Sequence, residues 1–246
     1  MIKIKVIGTG SKGNSYLLDN GESRILLDCG AKRVIKENFS NIRGVVITHI
    51  HGDHTSQIGK IDNYYNGKYY SHKDVLDILP VIDNKKVEVK TGDKFDIGTF
   101  SCTCFELAHD VKCYGYLIKD TISGYKLVYI TDTGYINYQF KDIDCYLIES
   151  NCDEDLLTYQ DYKEVRVYNT HLSMQQTANF LKENTNHNTK HVVLCHISQN
   201  ESDIDKHKHF IEKELNNENI KVIALNPHML EPIEIKLKED LEFNFD

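Results

Sequence analysis

The sequence predicts an α/β protein in which two mixed β-sheets pack as a sandwich flanked by helices. Its short β-prone runs come in two batches, each closed by helical segments, which fits a two-sheet sandwich better than a doubly wound parallel sheet. Several apolar runs stop abruptly at a His or Asp that opens a polar loop, as strands do when they present side chains at a sheet edge. No Gly/Ser-rich or Pro-rich linker and no clear repeat breaks the 246 residues. Residues 1–246 are therefore expected to form a single domain, a length that buries one substantial core.

In chain order, runs 2–7, 15–18 and 24–27 read as strands separated by Gly-containing turns, and 31–38 as a short helix. The β-branched run 44–48 (GVVIT) stops at the polar cluster HIHGDH. Strand 68–71, helix 72–79 and strand 87–90 follow, then a longer β-prone run 94–107 interrupted near Gly98. Segments 114–119 and 126–131 form a hairpin around 122–125, and 145–149 is a buried strand. A helix is expected over 174–184, with Ser173 as N-cap and Gln176 closing a capping box. An apolar strand at 191–195 and a late helix at 203–215 complete the order.

Apolar residues make up 40% of the chain and charged ones 27%, which is ordinary for a globular protein, but the formal charge is −8. An acidic chain is poorly suited to neutralising the phosphates of long nucleic acids, unless a local basic patch exists on one face. The opening MIKIKVIGTG lacks the apolar core of a signal peptide, and no apolar run approaches the roughly 20 residues that span a bilayer. Seven cysteines without a CxxC…CxxC frame fit free thiols in a reducing compartment, so a cytoplasmic protein is expected.

The sharpest motif is His49-x-His51-x-Asp53-His54. Three imidazoles and a carboxylate within six residues supply nitrogen donors and one hard oxygen, a set that suits zinc and tolerates manganese or iron. The plain alternative is a His-rich surface loop. Three further residues keep it company: His109 ends FELAH, Asp132 ends LVYITD and His196 ends VVLCH, each before a polar loop (HD, DTG, HISQN). Singly, each reads as a loop histidine or a turn-forming Asp. Together they have the pattern of sheet-edge ligands converging on one rim.

HIHGDH, AHD, TDTG and CHIS, in that order, resemble the metallo-β-lactamase superfamily over nearly the whole chain. The resemblance implies the αββα sandwich, with His49, His51 and His109 on a first metal ion and Asp53, His54 and His196 on a second. Asp132 would bridge two divalent cations, Zn2+ or Mn2+, that clamp the oxygens of a phosphodiester. Asp rather than Cys at position 132 points away from drug-hydrolysing lactamases, toward phosphodiesterases or the glyoxalase group. GTGSKGNS (8–15), ESNCDED (149–155) and THLS (170–173) look like the ribonuclease Z and YycJ-type branch, which favours a phosphodiesterase.

The chemistry implied is attack by a water whose pKa the cations lower, oriented or deprotonated by Asp53. His171, held by Glu149, would protonate the leaving alkoxide; a residue that merely caps or packs is the plain alternative. Ser11, Lys12, Gly13 and Asn14 could offer a phosphate backbone NH groups and a charge, or could equally form a tight hairpin. Tyr114, Tyr135 and Tyr138 are candidates to stack on a base. His72, His187, His191, His207, His209 and His228 join no constellation and read as surface or helix residues.

No insertion is long enough for the tRNA-gripping arm of ribonuclease Z enzymes, and the compact acidic form resembles the phage anti-Pycsar phosphodiesterases. The expected activity is hydrolysis of 3′,5′-cyclic mononucleotides, such as cyclic CMP and cyclic UMP, to linear monophosphates by a phage counter-defence enzyme. The alternative is a YycJ-type single-stranded DNA exonuclease, and the alternative of another class is a non-catalytic metal-binding module. A small cyclic nucleotide is the partner expected, with no membrane, and the resemblance implies a homodimer.

Overall fold

The computed structural model describes residues 1–158, 160–198 and 203–238; Gln199 and Asn200, which end the HISQN loop, lie outside them. The first half of the chain runs β1 (Ile2–Gly8), β2 (Ser15–Asp19), β3 (Arg24–Leu27), β4 (Ile42–Val46), α1 (Gly52–Thr55), α2 (Ile58–Ile61), β5 (Lys68–Ser71), α3 (Lys73–Ile78) and β6 (Lys86–Glu88). The second half runs β7 (Lys94–Ile97), β8 (Phe100–Leu107), β9 (Cys113–Asp120), β10 (Lys126–Ile130), β11 (Cys145–Glu149), α4 (Tyr162–Thr170), α5 (Met174–Asn184), β12 (His191–Cys195), α6 (Ile204–Leu215), β13 (Lys221–Ala224) and β14 (Ile233–Lys238).

Two seven-stranded sheets result, ordered β14-β1-β2-β3-β4-β5-β6 and β13-β12-β11-β10-β9-β8-β7. Each is half antiparallel and half parallel: β14 to β3 and β7 to β10 pair antiparallel, β3 to β6 and β10 to β13 parallel. The expected pair of mixed sheets flanked by helices is therefore present.

Alternation along the strands builds three apolar layers. Leu127 and Tyr129 face inward, meeting Val6, Leu18 and Ile25 between the sheets. Val128 and Ile130 face outward and lie in the layer with Leu181 of α5 and Ile211 of α6. On the opposite outer face, Val45 and Ile47 share a layer with Ile58 of α2 and Val75 of α3. Strands β11 and β12, covered on both faces, are accordingly apolar almost throughout.

Most elements fall where the sequence places them, and Ser173 forms the expected capping box with Gln176. The run 94–107 breaks at Gly98, whose φ of +59° turns it into the β7–β8 hairpin. Segment 31–38 is instead a 3-10 turn over Lys32–Lys36, in which Ala31 offers no side-chain cap. The β9–β10 hairpin spans the whole connection from His109 to Asp132 and leaves no projecting arm. No disulfide joins the seven cysteines among the described residues, and all seven are buried. Among the described residues no helix is long and apolar enough to cross a membrane.

His207 corrects one reading: it is a helix residue of α6, but it is fully buried, with Nδ1 2.8 Å from Ser150 Oγ. Among the described residues its Nε2 has no hydrogen-bond partner, and burial pushes the imidazole down to about 4. Because the unfolded group titrates near 6.5, the unfolded chain binds more protons below that pH. The contribution of a neutral His207 is thus complete above about pH 6.5, declines as pH falls, and is exhausted near the folded value. At about 1.4 kcal/mol per unit this amounts to roughly 3 kcal/mol. Urea unfolding of wild type and His207→Gln, at neutral pH and at about pH 4.5, should show the variant losing less stability in acid. Equal losses would refute this.

Candidate metal centre

Three site residues sit where a strand ends, in the left-handed backbone region: Asp28 (φ +56°), Asp132 (φ +52°) and His196 (φ +51°). Such a conformation is uncommon outside glycine, though Asp and His adopt it more readily than most, and it costs on the order of 1 kcal/mol. It turns the chain sharply at the strand tip, so the side chain projects over the rim. His49, His51, Asp53 and His54 come from the segment after β4 and from α1, and His109 follows β8.

All seven residues expected from the motifs gather at this rim. Donor atoms of His49, His51 and His109 lie within 4.8 Å of one another, and so do those of Asp53, His54, Asp132 and His196. In the first group the ring centroids are 4.7–5.0 Å apart and His109 Nε2 is 3.3 Å from His51 Nδ1. In the second, His54 Nε2 stands 3.2 Å from Asp132 Oδ2, and His196 Nε2 stands 3.2 Å from Asp53 Oδ2. Asp132 belongs also to a third group with Glu149, His171 and His196.

The outward nitrogens are fixed from behind, as ligand histidines require. His54 Nδ1 donates to Asp28 Oδ2 at 2.7 Å, which leaves Nε2 as the lone-pair atom facing Asp53 and Asp132. His109 Nδ1 donates to the Thr170 carbonyl at 2.9 Å, and His196 Nδ1 to Glu149 Oε1 at 3.0 Å. Among the described residues, His49 Nε2 is buried without a hydrogen-bond partner. An orphaned buried nitrogen is costly unless something occupies it, so this donor set fits a cation.

The electrostatics of the two groups differ. Burial and the neighbouring His54 push His49 well below its ordinary value, and burial likewise lowers His109, so both present neutral, lone-pair-bearing rings. In the second group burial opposes charge, yet Asp132 and Asp28 hold His54 well above its ordinary value. Asp132 with Asp53 and Glu149 pushes His196 up to about 10, again against burial. The carboxyls of Asp53 and Asp132 are held low by the same imidazoles despite burial. This second group demands positive charge, which protons or a cation can supply.

Several functional partners have roles that the sequence did not announce. Asp28, fully buried, accepts from Thr48 N (2.8 Å), Thr48 Oγ1 (2.9 Å), Tyr129 Oη (2.7 Å) and His54. Asn14, from the turn after β1, places Nδ2 3.0 Å from His54 Nε2 and 3.4 Å from Asp53 Oδ2. Asp110 lies 3.1 Å from His109 Nε2 and 3.3 Å from His51 Nε2, tethered by Arg166 of α4 at 2.6 Å. Its signal was present, since it follows His109 directly. Of the stacking candidates, Tyr114 is buried in β9 and Tyr138 packs on Phe105 at 5.1 Å. Tyr135 is exposed and shares a surface hollow with His109.

Asp28→Asn turns an amide toward His54 Nδ1, which moves the ring proton to Nε2 and removes the lone pair aimed at Asp53 and Asp132. Chelator competition should show zinc affinity falling roughly 10- to 100-fold. An unchanged affinity would refute the orienting role of Asp28.

Residues 19–197 match the beta-lactamase superfamily domain. The chain is 27% identical over 223 residues to exodeoxyribonuclease WalJ of Streptococcus pneumoniae, covering 80% of this chain and 82% of that one. It is 24% identical over 220 residues to exodeoxyribonuclease YycJ of Bacillus anthracis, covering 80% and 83%. Among solved structures, the metallo-beta-lactamase fold protein YhfI of Bacillus subtilis is similar, with a TM-score of 0.75 at 19% identity, over 96% of this chain and 100% of that one.

Proposed function

The chain belongs to the beta-lactamase superfamily and is a metal-dependent hydrolase; we propose that it hydrolyses phosphodiester bonds of single-stranded DNA from an end. The observation that carries this reading is the Glu149–His171 pair, 2.7 Å apart, placed with His171 Nδ1 3.6 Å from Asp132 Oδ1. A phosphodiester leaves as an alkoxide that needs a proton, and a scaffold that only stored metal would have no use for such a donor. The exodeoxyribonucleases WalJ and YycJ, similar over four-fifths of the chain, supply the substrate class.

In this reading His49, His51 and His109 would hold one divalent cation, Asp53, His54 and His196 a second, and Asp132 would be shared. When bound, the cations supply Lewis acidity that lowers the pKa of a water and offsets charge building on the phosphate oxygens. The recorded contacts of Asp53 with His54, His196 and Asn14 all fall on Oδ2, which leaves Oδ1 to orient and deprotonate the attacking water. Glu149 occupies His171 Nδ1, so Nε2 is the position from which a proton is given. Burial opposes the imidazolium, but Glu149 and Asp132 hold it above its ordinary value, keeping it charged and ready to donate. Glu149 is itself fixed by the backbone NH groups of Leu172 (3.1 Å) and Thr133 (3.2 Å). The homodimer implied by the resemblance belongs to the same proposal.

A second reading is hydrolysis of 3′,5′-cyclic mononucleotides. The net charge of −8 and the absence of an arm between His109 and Asp132 favour a small substrate.

Product analysis with metal-loaded protein tests both. Shortened single-stranded DNA, lost in Asp53→Ala, supports the nuclease; linear monophosphates from cyclic nucleotides with intact DNA support the second reading; neither product contradicts both. On the true substrate, His171→Ala should lower kcat roughly 10²- to 10⁴-fold with metal content intact. Bis(p-nitrophenyl) phosphate should be nearly unaffected, since nitrophenolate departs without a proton. Equal losses on both substrates would refute the proton-donor role.

A further inference from the structure

We propose that a basic groove beside the metal centre carries the phosphate backbone of a single DNA strand leading to the cleavage point, an inference that rests on the nuclease reading above. The groove has a volume of about 580 Å³, within the range of ligand-binding clefts. Among the described residues four cationic side chains line it, Lys12, Lys32, Arg33 and Lys36, and no acidic residue does. In a chain with 29 Lys and Arg against 37 Asp and Glu, that separation of charge runs against the composition. Glu37, next in sequence to Lys36, is paired with Lys5 at 2.8 Å. Lys12, Lys32 and Lys36 are exposed, and no ion pair occupies them among the described residues. Arg33 is half-buried and anchored by the Met229 carbonyl at 3.4 Å.

The groove adjoins the metal centre across the loop that follows β1. Thr9, in its wall, accepts from the His196 backbone NH at 3.0 Å. Gly13, also in the wall, has φ of +137°, and a Cβ there would lie 2.4 Å from the Gly30 carbonyl. The loop therefore packs flush against the segment after β3. The next residue, Asn14, touches Asp53 and His54. One loop thus forms the groove wall on one side and braces two metal-site residues on the other. Pro227 and Met229 supply an apolar border. Cations along one border and apolar surface on the other match a strand with charged phosphates and greasy base faces. A cyclic mononucleotide, held at the metal centre alone, would leave these cations unused.

Lys12→Ala/Lys32→Ala/Lys36→Ala removes three charges from solvent-exposed positions and leaves the anchored Arg33 in place. Binding of fluorescent single-stranded DNA is measured in an Asp53→Ala background across a salt series, and KM is measured in the active protein for an oligonucleotide and a dinucleotide. The triple variant should bind DNA at least tenfold more weakly, and its log-log salt slope should be shallower by about two, at roughly 0.7 per lost phosphate contact. KM should rise for the oligonucleotide and far less for the dinucleotide, with melting temperature and metal content unchanged. Unchanged affinity and slope would overturn the groove, and so would tighter binding of polyglutamate than of DNA. Salt-dependent DNA binding through these lysines, in a protein that cleaves no DNA, would uphold the groove and overturn the nuclease reading instead.

Discussion

One buried carboxylate ties the rim of this molecule together. Asp28, at the end of β3, collects hydrogen bonds from Thr48 beyond β4, from Tyr129 in the opposite sheet and from His54 in α1. A buried charge is tolerable only when its acceptor sites are filled, and here every partner comes from an element that must be in register for the contact to form. The same group that joins the two sheets also sets the tautomer of a metal-site histidine. Fold and site are therefore not separable at this position, and stability is invested where the chemistry needs rigidity.

Around that anchor the rim divides the electrostatic labour. The His49, His51, His109 group is crowded with imidazoles that disfavour protons, whereas Asp53, Asp132 and Glu149 draw protons onto His54 and His196. Divalent cations, one in each group, would satisfy both tendencies, taking lone pairs in the first and balancing charge in the second. His171 stacks on His196 with ring centroids 5.3 Å apart, yet its nearest carboxylate is Glu149, so it stays poised as a proton carrier beside the ligand set. Lys12, Lys32 and Lys36, exposed beside this rim, give an acidic chain a local positive field that a polyanion would meet on approach.

Much of this was legible in the sequence because strand tips are punctuated. An apolar run ending in His or Asp at 109, 132 and 196 marks both a strand and a rim residue, and the HIHGDH loop marks the rest. The capping box at Ser173 and the turn at Gly98 were readable from local chemistry. Less was readable where tertiary contact decides. Asp28 sits in DCG, which reads as a turn, and nothing local announces its partners from another sheet. Asn14 and Asp110 act through space, and His207 is buried only because α6 lays it on Ser150. The short helices α1 and α2, four residues each, fall below any periodicity, whereas the alternation IEIKLK in β14 was a signal that went unused.

The proposed chemistry needs two cations at this rim, with Asp132 shared between them. Anomalous scattering from zinc-loaded crystals tests it directly. Two peaks per chain are predicted, one among His49, His51 and His109 and one among Asp53, His54 and His196, with the Asp132 carboxylate touching both. A single peak, or zinc bound elsewhere with these imidazoles empty, would contradict it.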